Sequence, residues 1–136
     1  SINYIYIIEI YIHYYKYKYT ISGTIITFAS NVNLNNIDVS NIEDFSEIFI
    51  GIDYFNGDVS EWNVINGVTF NNMFSDCNKF AGDISNWDVS NSINFDSMFF
   101  SIYKFNSDIS RWDVFNGENF CLMFYVCEKF NQDLSK

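Results

Sequence analysis

Four aspartates, Asp58, Asp83, Asp108 and Asp133, stand 25 residues apart. If the chain makes one coil per repeat, they stack as a ladder, roughly 4.8 Å from one coil to the next. Stacked carboxylates repel unless each is hydrogen-bonded, neutralised or bridged by a cation. Two chemistries fit that constraint. One is a divalent cation such as calcium, but calcium-binding repeats use glycine-rich loops dense in aspartate. The other is a turn. Each aspartate here is followed two residues later by a serine (Ser60, Ser85, Ser110, Ser135), and an aspartate so placed accepts backbone N–H groups. The ladder is therefore read as turn capping, with no metal ligand and no cofactor assigned.

A second ladder, Asp38, Asn63, Asp88 and Asp113, alternates with apolar positions and so points outward. With Glu61, Asn86 and Arg111 beside it, this ladder forms the candidate protein-binding face, since repeat arrays bind partners across such surfaces. Cys77 and Cys127 hold the same place two repeats apart, roughly 10 Å if coils stack at strand spacing. A disulfide needs Cα atoms within about 7 Å, so none is expected between them. No C-x-x-C spacing suggests a metal site. His13 is the single histidine, and no second ligand or triad partner accompanies it. No nucleophile elbow or phosphate loop is present either, so the chain is read as non-enzymatic.

The elements that would position these residues follow from the period. Phe55, Phe80, Phe105 and Phe130 are in register, as are Trp62, Trp87 and Trp112, then Val64, Val89 and Val114, then Asn66, Asn91 and Asn116. Trp and Val alternate with polar residues, which predicts a short strand. Downstream, Phe70, Met73, Phe74 and Cys77 are spaced i, i+3, i+4, i+7, and each repeat copies that spacing. This predicts a short amphipathic helix whose start the preceding asparagine can cap, and the Asn66, Asn91 and Asn116 column is also read as a ladder that satisfies backbone groups. Stacked units bury what one unit cannot, with Phe on Phe and Trp on Trp. The expected fold is an α/β right-handed, leucine-rich-repeat-like solenoid over residues 30–136, about four coils, each a short parallel strand plus a short helix.

The phrase F-x-x-D-(I/L/V)-S-x-W-(D/N)-V-x-N, followed by F-x-x-M-F, resembles the BspA-like bacterial surface-protein repeat, a leucine-rich-repeat relative with repeats of about 25 residues. The resemblance covers residues 30–136. It implies a cell-surface or secreted protein, often a lipoprotein, that mediates adhesion by binding a host or neighbouring protein. It implies no catalytic residues.

Charge narrows the partners. The chain has 136 residues and a net charge of −10. Lys16 and Lys18 against Glu9 make residues 1–29 +1, so the remainder carries −11. Such a surface repels phosphate backbones, which excludes nucleic acid. Residues 1–29 hold seven of the ten tyrosines and fall outside the period. Charged residues interrupt the stretch too often for a transmembrane helix. Two readings stay open for it: a β-rich N-terminal cap turning at Ser22–Gly23, or a low-complexity stretch that is not native protein. The chain opens on Ser and closes at Lys136, where the next Trp is due. It is read as a segment of a longer array whose open end allows end-to-end self-association. The alternative function is a structural spacer array, intracellular or viral, with no specific ligand.

Overall fold

The computed structural model describes residues 31–135. The N-terminal cap, its Ser22–Gly23 turn and His13 lie outside the described residues.

The chain winds as stacked coils of 25 residues built from turns. The expected α/β solenoid does not form: among the described residues there is no helix, and pairing is confined to isolated parallel bridges. Both halves of each repeat depart from expectation for physical reasons.

The stripe beginning at Phe45, Phe70, Phe95 or Phe120 was expected to be helical. Its third residue takes a left-handed backbone in every coil: Glu47 (φ 61°), Asn72 (54°), Ser97 (54°) and Leu122 (52°). Four residues on, Gly51 (69°), Asp76 (60°), Ser101 (60°) and Val126 (58°) do the same. A left-handed residue ends an α-helical run. What forms instead is a chain of four-residue turns, with Met73 N–H donating to Phe70 O (3.1 Å) and Cys77 N–H to Phe74 O (3.0 Å). Positive φ at the third position of a turn is the mark of type II geometry. Alternate N–H groups then point along the stack. Phe45, Glu47, Phe49 and Gly51 donate to Thr69, Asn71, Met73 and Ser75 carbonyls at 2.8–3.0 Å, and the next two coils repeat the pattern. A return bond from Val68 N–H to Glu43 O (2.7 Å) completes the parallel bridge at Asp44 and Thr69, which continues to Asn94 and Asn119. The Asn66, Asn91 and Asn116 column caps no helix; it is the ladder that satisfies backbone groups, bonding across coils as described below.

Glycine meets the left-handed requirement once, at Gly51; Val126, β-branched, meets it at a cost of about 1–2 kcal/mol. Val126→Gly is therefore expected to raise stability by about 1 kcal/mol in urea unfolding, with Gly51→Ala moving it the opposite way. An unchanged midpoint for both would show that these positions are not strained.

The Trp-x-Val segment was expected to be a strand. Trp62 and Val64 are buried and Glu61 and Asn63 exposed, as alternation requires, but no backbone ladder joins this segment to its neighbours. Side chains take the carbonyls a ladder would use. Trp62, Trp87 and Trp112 donate Nε1–H to the Leu34, Val59 and Ile84 carbonyls of the preceding coil at 2.9, 3.0 and 3.1 Å. Asn66, Asn91 and Asn116 donate from Nδ2 to Ser40, Ile65 and Ser90 carbonyls at 2.7, 3.0 and 2.7 Å.

Aromatic columns fill the core. Phe45, Phe70, Phe95 and Phe120 stack at 5.0, 6.0 and 5.2 Å between ring centroids. Phe55, Phe80, Phe105 and Phe130 follow at 5.9, 6.1 and 5.8 Å. The indoles of Trp62, Trp87 and Trp112 lie nearly parallel at 6.4 and 6.5 Å. Within a coil, Phe74 and Phe80 close the ring at 4.1 Å. Each such pair adds about 0.5–1.5 kcal/mol beyond its buried area. All three cysteines are free, and the Cys77 thiol donates to Phe49 O of the coil before (2.9 Å).

Candidate protein-binding face

Three columns of side chains build the outer turns by one device. An Asp or Asn carboxyl or amide oxygen accepts the N–H two residues on, which closes a turn without proline or glycine. In the first column Asp58, Asp83, Asp108 and Asp133 accept from Ser60, Ser85, Ser110 and Ser135 N–H at 2.9–3.0 Å. In the second Asp38 and Asp88 accept both the N–H and the hydroxyl of Ser40 and Ser90, the hydroxyls at 2.7 Å. Asn63 and Asp113 accept from Ile65 (3.3 Å) and Phe115 (3.0 Å). In the third, Asp44, Asn94 and Asn119 accept from Ser46, Asp96 and Cys121 at 2.8, 2.9 and 3.0 Å.

The first ladder thus has turn partners. Asp83 and Asp108 also line one groove, with Lys104 among its other residues. Among the described residues no three His, Cys, Asp or Glu side chains gather as a metal site would.

Serine hydroxyls, with the serine N–H second, hold the carboxyls of Asp38, Asp58, Asp83, Asp88 and Asp133 below the usual carboxylate range. A folded value below the unfolded one adds stability above the unfolded pKa of about 3.9 and loses it as pH falls through the folded value. The melting temperature is therefore expected to drop between about pH 5 and pH 2. Asn keeps the turn acceptor without the charge. A triple variant, Asp58→Asn, Asp83→Asn and Asp88→Asn, should flatten that acid limb in thermal melts. An acid limb as steep as the parent's would trace it to other groups.

All seven residues of the predicted face, Asp38, Glu61, Asn63, Asn86, Asp88, Arg111 and Asp113, are exposed. The face is not a sheet; it is the outer surface of stacked turns. Four of the seven, Asn86, Asp88, Arg111 and Asp113, line a single shallow groove with Ser85, Ser90 and the edge of Trp87. Asp38, Glu61 and Asn63 lie on the same columns but outside that groove. Its scaffold is anchored in the core, because the alternate residues Trp87 and Val89 are 3% and 1% exposed.

Sequence reasoning missed Phe115. It is 91% exposed, the most open large apolar side chain described, and its N–H is held by Asp113. The signal was available: the column reads Ser40, Ile65, Ser90, Phe115, so an aromatic stands where a serine stood one coil earlier.

Fold and face together define a repeat protein made of stacked turns, with an invariant aromatic interior and a variable polar exterior. The chain belongs to the family described as "Mycoplasma protein of unknown function, DUF285", whose model matches residues 19–136. This corrects the BspA-like, leucine-rich-repeat assignment, as the absence of a strand-and-helix unit in each coil does independently. No curated protein and no solved structure matches the chain. Among the described residues no helix is long and apolar enough to cross a membrane.

Proposed function

We propose that the chain is a non-enzymatic protein-binding array that docks a partner on the groove of Asn86, Asp88, Arg111 and Asp113, with Phe115 at its rim. The observation that carries this reading is an arginine and an open phenylalanine presented beside carboxylates over a packed indole column. Arginine and aromatic residues dominate the energetics of protein interfaces. Across the seven face residues four carboxylates stand against one guanidinium, a balance of −4 + 1 = −3. That charge favours a partner with a basic surface and a faster encounter at low salt.

A cell-surface or secreted setting was implied by the resemblance alone and loses that support with the family assignment. Adhesion is one role such docking can serve.

Affinity purification on the full chain, with Arg111→Ala and Phe115→Ser variants as comparison, tests the reading. Each substitution is expected to cost a bound partner roughly tenfold or more in affinity, while the melting temperature stays within a degree or so of the parent. A partner retained equally by both variants would place docking elsewhere. No specific partner for the parent chain would favour the alternative, a spacer array.

A further inference from the structure

Two charged columns run side by side along the stack. Lys79, Lys104 and Lys129 stand 25 residues apart, each four places before Asp83, Asp108 or Asp133, and all six are exposed. These lysines are three of the four cations among the described residues, which also hold sixteen carboxylates. The column just before them reads Asp53, Asn78, Tyr103 and Glu128, so its charge does not repeat. Lys104, Asp83 and Asp108 line one shallow groove of about 450 Å³, which puts the two columns on a single surface. Ala81 and Gly82 line it between them. They are the smallest pair at that place, where the coils on either side carry Asn56 with Gly57 and Asn106 with Ser107.

Columns of opposite charge and equal spacing make a surface that complements itself. A two-fold axis parallel to the stack, midway between the columns, lays each lysine column on the aspartate column of a second molecule. Such an axis leaves height along the stack unchanged, so every lysine meets an aspartate at its own level. An axis across the stack would set lysine on lysine instead. The three lysines span two coil rises, about 10 Å.

We propose that two copies of this chain pair side by side and parallel through this surface, Lys79, Lys104 and Lys129 of each facing Asp83, Asp108 and Asp133 of the other. Ala81 and Gly82 lie at the axis, where their small size lets the two backbones approach. Charge complementarity selects the occupant, since a second copy carries both columns at the same period. One exposed ion pair contributes little; here three on each side of the axis act together. Asp83 and Asp133, held below the usual carboxylate range by Ser85 and Ser135, keep their charge into mild acid. The surface shares only Ser85 with the groove of Arg111, so the pairing does not rest on the docking proposed above.

Sedimentation velocity on the full chain reads the pairing. The net charge of −10 opposes it at long range. At about 0.1 M salt the screening length is about 10 Å, which shields most of one molecule from the other and spares ion pairs; at about 1 M it is about 3 Å. A dimer is therefore expected at the lower salt and a monomer at the higher. Lys79→Glu with Lys104→Glu should weaken the dimer about tenfold or more, and should melt as the parent does at high salt. Asp83→Asn with Asp108→Asn, which keeps the turn acceptors, should weaken it too. A carbodiimide that joins amine to carboxylate, applied to mixed 14N and 15N chains, locates the contact. Links between chains are expected from Lys104 to Asp83 or Asp108. A monomer at the lower salt, a dimer that survives the higher, or a dimer indifferent to the lysine variant would overturn the pairing. Links from Lys79 to Asp133 would overturn its parallel sense, and links to Asp88 or Asp113 would overturn its location. Arg111→Ala and Phe115→Ser should leave the dimer intact, so docking and pairing fail separately.

Discussion

Trp87→Ala is expected to destabilise the protein by about 3–5 kcal/mol, the range for removing a buried aromatic side chain. Trp87 is 3% exposed and stacks on Trp62 at 6.4 Å and on Trp112 at 6.5 Å. It also meets Phe70 and Phe74 at 6.0 and 6.2 Å. Deleting it opens a cavity between three coils and removes the Nε1 donor from Val59 O (3.0 Å). A domain of this size has about 5–15 kcal/mol in total, so the variant should lose a large share of its stability. Trp87→Phe separates the contributions, because it keeps a ring in the column but lacks the donor, and it should cost less than the alanine. Urea titration followed by far-ultraviolet circular dichroism reads both. An alanine variant within about 1 kcal/mol of the parent would mean that the column relaxes freely, contrary to the close packing of protein interiors.

Removing all of residues 80–104 should leave a folded protein, while removing one residue from the same coil should not. The longer deletion joins Lys79 to Phe105, the residue that follows Lys79's counterpart one coil later. Phe105 then takes the place of Phe80 over Phe55, a pair that stacks at 5.9 Å in the parent, where Phe80 and Phe105 stack at 6.1 Å. Each unit contacts its neighbours only, so stability falls by one unit and one interface. Deleting Ser90 alone instead shifts every following residue of that coil by one place. Asn91, Phe95, Met98 and Phe99 would leave their columns, and the cross-coil bonds from Phe70, Asn72 and Phe74 would lose register. The expected result is a cooperative transition with a smaller denaturant slope for the 25-residue deletion, and no cooperative transition for the single deletion. Similar behaviour of the two would refute the columnar account.

The interior was legible in the sequence, and the backbone was not. Phe80, Ile84, Trp87 and Val89 are 0%, 0%, 3% and 1% exposed, as a period of 25 with apolar columns implies. The helix failed because the spacing i, i+3, i+4, i+7 suits two linked four-residue turns as well as it suits a helix. What separates them is the backbone at the third and seventh places. Those places hold Glu47, Ser97, Leu122 and Val126 among others, and only Asn72, Asp76 and Gly51 are types that announce a left-handed conformation. The strand failed for another reason: Trp and Asn side chains satisfy carbonyls that strand pairing would otherwise use, and alternation of burial cannot tell the two apart. On the outer face, the seven candidate residues are exposed because alternation is real there. The groove that gathers four of them depends on how adjacent coils sit side by side, which no single repeat encodes. Phe115 was hidden by looking at what the repeats share rather than at where one of them departs.

The tryptophan column also has an optical meaning. Its ring planes lie within 6° and 2° of parallel at 6.4 and 6.5 Å, so the transition dipoles of the three chromophores interact. The circular dichroism of the indoles then depends on the set of rings and not on one of them. The near-ultraviolet circular dichroism of the protein is therefore a readout of the stacking itself, and it should collapse when the coils separate.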